Sequence, residues 1–204
     1  MIKNIAYFYE KQPKISFGSC TATILINESP HISDYEDITD DGSPMPIKRQ
    51  MFKYDSYTVF IGQETEYAPH NEKFLISKIK EILIKEISDY DVSTNVNVFY
   101  LYGHPMWLPD VKRTSLIKST NIRKAQGNEV TTLWDDNNNK YDIPCDAALM
   151  MLNTLEMYAL DCYNQTAQHK KNVLEMDSVE DLLNYDITSG YPNVLHLPED
   201  LYNS

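Results

Sequence analysis

The stretch from Asp146 to Met176 contains neither proline nor glycine, and it constrains the fold more than any other part of the chain. Its small and apolar residues recur in steps of four and three, the 3.5-residue repeat of a helix packed along another helix. Pro144 and Asp146 are typical of a helix start. The sequence therefore predicts one long helix over about residues 146–176. The residues of this repeat, called the seam below, are Ala148, Leu152, Leu155, Ala159, Cys162, Thr166, His169, Val173 and Met176.

Two seam residues, Cys162 and His169, are of types found in reactive sites. Seven residues of straight helix place them about 10 Å apart along the axis, whereas a base must lie about 3 Å from the group it activates. We therefore interpret both, together with Thr166, as packing residues. A small enzyme that uses Cys162 or Cys20 remains an alternative, although the sequence indicates no base for either thiol. The pattern leaves open whether the seam packs within one chain or between chains.

Two tryptophans are further candidates for packing or for an interface, because buried aromatic anchors dominate both. Trp107 precedes a helix expected from Pro109 to about Gly127, and a core position is favoured for it. Trp134 belongs to a β-hairpin expected over 129–144, where core and interface are equally compatible with the pattern. The complete set of candidate packing or interface residues is Leu152, Leu155, Ala159, Cys162, Thr166, His169, Trp107 and Trp134.

The overall pattern predicts an α+β protein with two domains. Residues 1–105 are expected to form a small antiparallel or mixed sheet with one helix, and residues 106–204 a helical module. In the first domain, strands are expected at 4–9, 17–27, 51–64 and 95–103, and a helix at 72–88. Residues 29–50 carry Pro30, Pro44, Pro46 and an acidic run, which predicts a long loop.

The second domain is expected to combine helices with a single hairpin. Besides the helices beginning near Pro109 and Asp146, a short helix is expected at 178–186, with Ser178 as its N-cap. An extended tail should follow from residue 187.

The charge of the chain limits its partners. The formal net charge is -12, and such a chain repels nucleic acid and anionic lipid. No apolar run approaches the roughly 18 residues of a membrane span, and Glu10 and Lys11 interrupt the N-terminal apolar run, unlike a signal peptide. We expect synthesis in a cytoplasm, no membrane attachment and no sequence-specific nucleic-acid binding. Cysteine and histidine spacings match no metal or cofactor motif, so no cofactor, metal ligand or catalytic residue is predicted.

Several motifs of residues 106–197 occur in an order that resembles a known family. That family is a C-terminal module of tail- or fibre-associated proteins of tailed bacteriophages, found in phages and prophages of gut Bacteroidetes. The resemblance covers nearly half of the chain. The segments that carry it are MWLPDVKRTSLIKST, VTTLW, IPCDAALMMLNTLEMYALDCYNQTAQHKKNV and SVEDLLNYDITSGYP.

The resemblance implies a virion structural protein that is made in the host cytoplasm. Such a protein would be a homo-oligomeric adaptor, ring or fibre-attachment subunit that contacts tail, portal-proximal or fibre proteins. The resemblance supplies no catalytic residue. A head-fibre component and a non-virion chaperone for fibre assembly remain alternatives. Residues 1–105 show no such resemblance.

Overall fold

The computed structural model describes residues 1–39, 42–62, 71–135 and 137–198, and for residues 35–38 the backbone only. It confirms the predicted α+β class. The elements in chain order are β1 Ile2–Phe8, β2 Ile15–Phe17, β3 Thr21–Ile38, β4 Pro44–Phe60, α1 Glu72–Asp91, β5 Phe99–Leu101, β6 His104–Met106, α2 Asp110–Ala125, β7 Val130–Trp134, β8 Lys140–Pro144, α3 Cys145–Glu175, α4 Val179–Asn184 and β9 Leu195–Leu197.

The chain divides into two compact units at points that differ from the boundary expected at residue 105. The first unit combines residues 1–83 with 176–185, and the second combines 84–175 with 186–204. The difference arises from long-range pairing, since β5 pairs in parallel with β9 from the C-terminal region. The residues around β5 therefore belong with the helical part of the chain. This pairing joins residues almost one hundred positions apart, and local patterns do not reveal it.

The first unit is built on an antiparallel sheet of four strands in the order β1-β4-β3-β2. Ala22, Ile24 and Ile26 of β3 are buried, as expected for a strand with one face toward a core, and Leu25 between them is buried as well. The expected strand at 17–27 is interrupted by a turn in which Gly18 N–H donates to Thr21 O at 2.8 Å. Other buried apolar residues of this unit come from β4 and the residue that follows it, from the first part of α1 and from α4; they are Tyr54, Tyr57, Val59, Ile61, Leu75, Ile79, Leu83, Val179, Leu182 and Leu183.

The prediction of a long loop at residues 29–50 is wrong. These residues lie mainly in β3 and β4, which pair antiparallel from Ser29↔Lys53 to Ile38↔Pro44. The prolines are compatible with this arrangement, because proline is tolerated in strands that have a free edge. The register also sets Asp34 opposite Lys48, a pair of opposite charges that favours the pairing, whereas Glu36 and Asp37 face Pro46 and Met45. Residues 40 and 41 of this segment lie outside the described residues.

The second unit contains α2, α3, the β7–β8 hairpin and a three-stranded sheet in the order β6-β5-β9. The strand expected at 95–103 is confined to β5, because Val96 and Asn97 form turns through N–H donation to Ser93 O. The expected hairpin and long helix are both present. The buried cluster of this unit consists of Val96, Phe99, Leu101, Met106, Leu108, Leu133, Ile143, Ala148, Met151, Leu152, Leu155, Tyr158, Cys162 and Leu197.

The expected helix ends are also observed. Gly127 follows α2 with a φ of 82°, its N–H donates to Lys124 O, and Asn128 N–H donates to Arg123 O. This pair of bonds is the Schellman arrangement, which needs a residue with positive φ. At α4 the Ser178 side chain accepts a hydrogen bond from Asp181 N–H at 3.3 Å, as predicted for an N-cap.

Candidate interaction site

The structure places most seam residues on the buried face of α3. Leu152, Leu155 and Cys162 belong to the hydrophobic cluster of the second unit, and Thr166 and His169 are also buried. Ala159 is half-buried. The N-terminal part of the seam therefore packs against residues of its own chain.

The surroundings of Cys162 favour a neutral thiol. Burial raises the pKa of Cys162, the nearby carboxylates of Asp91 and Asp161 act in the same direction, and a hydrogen bond with Tyr158 opposes them. Nucleophilic cysteines instead occur in electropositive, partly exposed surroundings that lower the thiol pKa. The arrangement is that of a packed cysteine.

The polar seam residue Thr166 connects two distant parts of the chain. Its hydroxyl donates to Asp91 Oδ1 at 2.7 Å, and the Tyr191 hydroxyl lies 2.8 Å from Thr166 Oγ1. Because the single Thr166 proton is directed to the carboxylate, the Tyr191 hydroxyl donates to Thr166. The resulting chain of hydrogen bonds allows a polar residue to be buried without loss of its hydrogen bonds.

The other polar seam residue, His169, holds the turn that follows α4. Its Nε2 lies 2.8 Å from the Ser189 carbonyl oxygen, and Gln165 Nε2 donates to the same oxygen at 3.1 Å. A carbonyl oxygen only accepts, so we assign the His169 proton to Nε2. The Tyr191 ring stacks on the His169 ring at a centroid distance of 5.5 Å. These contacts dock residues 186–191, called the docking turn below, onto α3.

The docking turn contains the first four residues of the TSGYP sequence, which spans residues 188–192. Asp186 Oδ1 accepts hydrogen bonds from the N–H and the hydroxyl of Thr188, at 2.9 and 2.6 Å. These bonds outweigh the effect of desolvation, and the pKa of Asp186 is lowered. Gly190 has a φ of 76°, a conformation that favours glycine. The motif is explained by local structure and by docking onto α3.

The helices α2 and α3 are joined by a buried arginine. Arg113 binds Glu156 with both ends of its guanidinium group, Nε to Oε1 at 2.9 Å and Nη2 to Oε2 at 3.3 Å. It also donates to Leu108 O at 2.7 Å and lies 5.5 Å from the centre of the Trp107 ring. Burial of this guanidinium is favourable only with such paired acceptors.

An open groove of about 320 Å³ brings together three of the sequence candidates, Trp107, Ala159 and Cys162. Trp107 is half-buried there, so its position is intermediate between the expected core and a surface anchor. Tyr163 adds an exposed aromatic ring, and Asp91 and Asp110 add carboxylates. Aromatic side chains beside a charged rim are typical of protein-binding surfaces.

Trp134 is not part of this groove. It lies at the end of β7, paired with Lys140, and is 51% exposed. The adjacent hairpin turn is organised by Asp135, whose carboxylate accepts bonds from Asn137, Asn139 and Tyr141. The Asp/Asn-rich sequence of this turn is therefore accounted for by its internal hydrogen bonds.

Several residues that shape the site carry no sequence signal of their own. Asp91, Gln165 and Arg113 act through partners far away in the chain, and only the glycine and tyrosine of the TSGYP motif stand out locally. In the described residues, no group of three or more His, Cys, Asp or Glu side chains is arranged to hold a metal ion. Over the same ranges, no helix is long and apolar enough to span a bilayer.

Comparison with models of protein families, with curated proteins and with solved structures found no match to this chain.

Proposed function

We propose that the chain is a bacteriophage virion protein of the tail or fibre apparatus. In this proposal it acts as an adaptor, ring or fibre-attachment subunit through contacts with other virion proteins, and it is not an enzyme. The resemblance of residues 106–197 to tail- and fibre-associated modules motivates the phage assignment. The structural observation that supports a binding role most is a two-stranded β-ribbon that continues beyond the four-stranded part of the sheet.

The β-ribbon consists of residues 31–38 of β3 and residues 44–51 of β4. In the described part of the chain, β1 pairs with β4 only up to Phe52, and β2 pairs with β3 only up to Ile24. Each ribbon strand is roughly 27 Å long at 3.4 Å per residue, and an isolated pair of strands is marginally stable in water. Contact with another protein would stabilise it.

The surface of the β-ribbon is suited to such contact. Ile32 is 65% exposed, and Met45 is also exposed. Among the described residues no third strand pairs with either strand of the β-ribbon, so a partner could add a strand there through main-chain hydrogen bonds. Pro44 and Pro46 cannot donate such bonds, so β4 offers fewer donors near the tip.

The acidic charge of the chain indicates the chemistry of the partner. With a formal net charge of -12, association is fastest with a protein that presents a basic surface. The Trp107 groove would provide a second contact area, with two aromatic rings and two carboxylates. The β-ribbon and the Trp107 groove would then supply the two contact surfaces that an adaptor between two neighbours requires.

The proposal is tested by following the chain in a phage that encodes it. The gene is deleted, the native protein is supplied in trans, and particles purified on a density gradient are probed with an antibody to the chain. We expect the protein in the particles, with immunogold labelling at the tail or the fibres. Presence in infected cells combined with absence from particles would contradict the proposal and support a chaperone. Labelling of the head would support the head-fibre alternative.

A ribbon variant tests the structural argument within the same experiment. Asn-Gly replaces residues 33–49 and joins the paired residues Ile32 and Gln50, since this dipeptide suits a two-residue hairpin turn. We expect a cooperative melting transition and loss of incorporation into particles. Val111→Ser on α2 alters another exposed apolar side chain and is the control. Normal incorporation of the ribbon variant would exclude the β-ribbon as the attachment element.

A further inference from the structure

The Trp107 groove combines aromatic rings with carboxylates in a space of limited size. Asp91, at the end of α1, and Asp110, at the start of α2, line it together with the rings of Trp107 and Tyr163. All four residues belong to the second unit. The volume of about 320 Å³ is at the lower end of the range for ligand sites, roughly 300–1,000 Å³. A groove of this size suits one inserted side chain of a partner.

The groove has a surplus of negative charge. Arg113 is the one cationic residue among the described residues that line it, and Glu156 balances that charge through two hydrogen bonds. Asp110 also lies 3.8 Å from the Arg113 guanidinium. Lys112 is two positions after Asp110, and residues at this spacing do not face each other on a helix. One guanidinium group is thus set against three carboxylates, those of Glu156, Asp110 and Asp91, which leaves two negative charges.

The position of Asp91 is electrostatically unfavourable unless a cation binds nearby. It is the last residue of α1, and the described last turn of this helix contains no basic residue. The helix dipole repels a carboxylate at the C-terminal end of a helix. Asp91 Oδ1 accepts the hydrogen bond from Thr166, but a carboxylate can accept several such bonds. A cation in the groove would offset the repulsion and use the remaining acceptor capacity.

The aromatic rings of the groove provide a second attraction for a cation. Cations bind to the faces of tryptophan and tyrosine rings, and the Arg113 guanidinium already lies 5.5 Å from the centre of the Trp107 ring. Tyr163 is 66% exposed, so its ring is accessible to a ligand. Ala159 adds a small apolar surface, on which the aliphatic stem of a long basic side chain can pack.

We propose that the Trp107 groove binds an arginine side chain from a basic segment of a partner protein. The incoming guanidinium pairs with the Asp91 carboxylate and contacts the Tyr163 ring, and Asp110 adds to the negative potential at the exposed rim. Arginine suits this groove better than lysine, because its planar group both stacks on aromatic rings and pairs with carboxylates. The inference rests on the proposed function, in which this groove is a contact area for another protein.

An NMR titration of the purified chain tests the inference. The probe is a capped pentapeptide with arginine at its centre and glycine and serine around it. The same peptide with citrulline, which keeps the shape of arginine but lacks the charge, is the control. The chain has two tryptophans, and Trp134 lies outside the groove lining, so the two indole N–H signals report separately on binding inside and outside the groove.

We expect the arginine peptide to shift the Trp107 signal to saturation, with a dissociation constant on the order of 1 mM, and to leave the Trp134 signal in place. The citrulline peptide should bind about tenfold more weakly or worse, because it lacks the charge-assisted hydrogen bonds. Equal affinity for both peptides, or no shift of the Trp107 signal at about 10 mM peptide, would overturn the inference.

Three variants test the carboxylates. Asp91→Asn keeps an oxygen that accepts from Thr166 and should raise the dissociation constant about tenfold, because Asp91 is half-buried. The Asp110 side chain is 80% exposed, so Asp110→Asn should raise the constant only about twofold to threefold. Asp146→Asn is the matched control, since this side chain also lies in the first turn of a helix and is 78% exposed, but outside the groove lining.

A cooperative melting transition shows that each variant folds. Asp146→Asn should leave the dissociation constant unchanged. Unchanged affinity of Asp91→Asn, or an equal loss in Asp146→Asn, would overturn the inference, because binding would then depend on the overall acidity of the chain. A chain that enters particles but does not bind the arginine peptide would overturn the inference and leave the proposed function intact. A chain that binds the peptide but is absent from particles would contradict the proposed function and leave the arginine site intact.

Discussion

The side chain of Gln165 lies directly against Gly190, such that a Cβ atom built on Gly190 would be 2.6 Å from Gln165 Nε2. Gly190 also has a φ of 76°, which L side chains rarely adopt. Gln165 holds its position by donating to Ser189 O at 3.1 Å. Glycine is therefore required at this position for two reasons, the positive φ of the backbone and the close approach of the Gln165 side chain on α3.

Gly190→Ala should destabilise the protein by about 2–3 kcal/mol. The left-handed conformation costs about 1–2 kcal/mol, and displacement of Gln165 loses a hydrogen bond of about 1 kcal/mol. Gly127→Ala is the matched control, because Gly127 has a φ of 82° but no atom within 4 Å of the place that an added methyl group would occupy; it should show only the conformational cost. Urea denaturation gives both values.

A double-mutant cycle separates the two contributions at Gly190. In a Gln165→Ala background, Gly190→Ala should cost no more than the Gly127→Ala control, because the obstructing side chain is gone. Equal costs of Gly190→Ala in both backgrounds would show that the Gln165 contact has no energetic effect.

The thiol of Cys162 should react slowly in the folded protein. Burial limits access and raises its pKa, so little thiolate forms near neutral pH. Cys20 is half-buried and should be alkylated first. Peptide mapping by mass spectrometry after timed iodoacetamide treatment distinguishes the two, with the urea-unfolded chain as the reference for full reactivity. Rapid modification of native Cys162 would contradict the packing interpretation and revive the cysteine-enzyme alternative.

Truncation of the same thiol tests its structural role. Cys162→Ala should destabilise the protein mildly, on the order of 1 kcal/mol, because it removes one buried sulfur atom from the cluster. Cys20→Ala, at a half-buried position outside this cluster, should cost less. Loss of a measurable activity at unchanged stability would instead point to catalysis.

Asp135 should make the β7–β8 hairpin sensitive to acid. Burial opposes ionisation of this carboxyl, but hydrogen bonds from Asn139, Tyr141 and Asn137 outweigh it and lower the pKa. A carboxyl with a lowered folded-state pKa stabilises the fold above its unfolded pKa of about 3.9, and this contribution is lost as the pH falls through the folded value.

Asp135→Asn isolates this contribution. The variant should melt at a lower temperature than the native protein at pH 7, and the difference should shrink as the pH is lowered from 5 toward 2. Thermal scans at several pH values measure both trends. A pH-independent difference would show that ionisation of Asp135 does not contribute to stability.

The sequence predicted the elements whose signals are local. The seam repeat predicts α3, and so does the absence of proline and glycine. Both signals are local, because the residues of an apolar stripe on a helix are only three or four positions apart in the sequence. The hairpin 129–144, the N-cap Ser178 and the helix end at Gly127 follow from turn and capping chemistry in the same way. Local rules therefore sufficed for the α+β class.

The sequence did not predict how the strands of the two larger sheets pair. Prolines at residues 30, 44 and 46 indicated a loop, but Pro30 lies within β3, and Pro44 and Pro46 lie at the start of β4. The favourable pairing of Asp34 with Lys48 becomes visible only once the register is known, and the register depends on contacts across the whole hairpin. The parallel pairing of β5 with β9 is still more remote and alters the division of the chain into units.

The polar residues of the seam also have partners that are distant in the chain and that local patterns do not reveal. The sequence identifies Thr166 and His169 as polar members of the seam, but their spacing does not predict their hydrogen-bond partners. The folded chain brings Asp91 to Thr166 over 75 residues and Tyr191 over 25. Helix periodicity is local, so the order of residues is enough to define α3 and its apolar sides. Burial depends on segments distant in the chain, so the side of α3 that faces the core emerges only when those segments are in place.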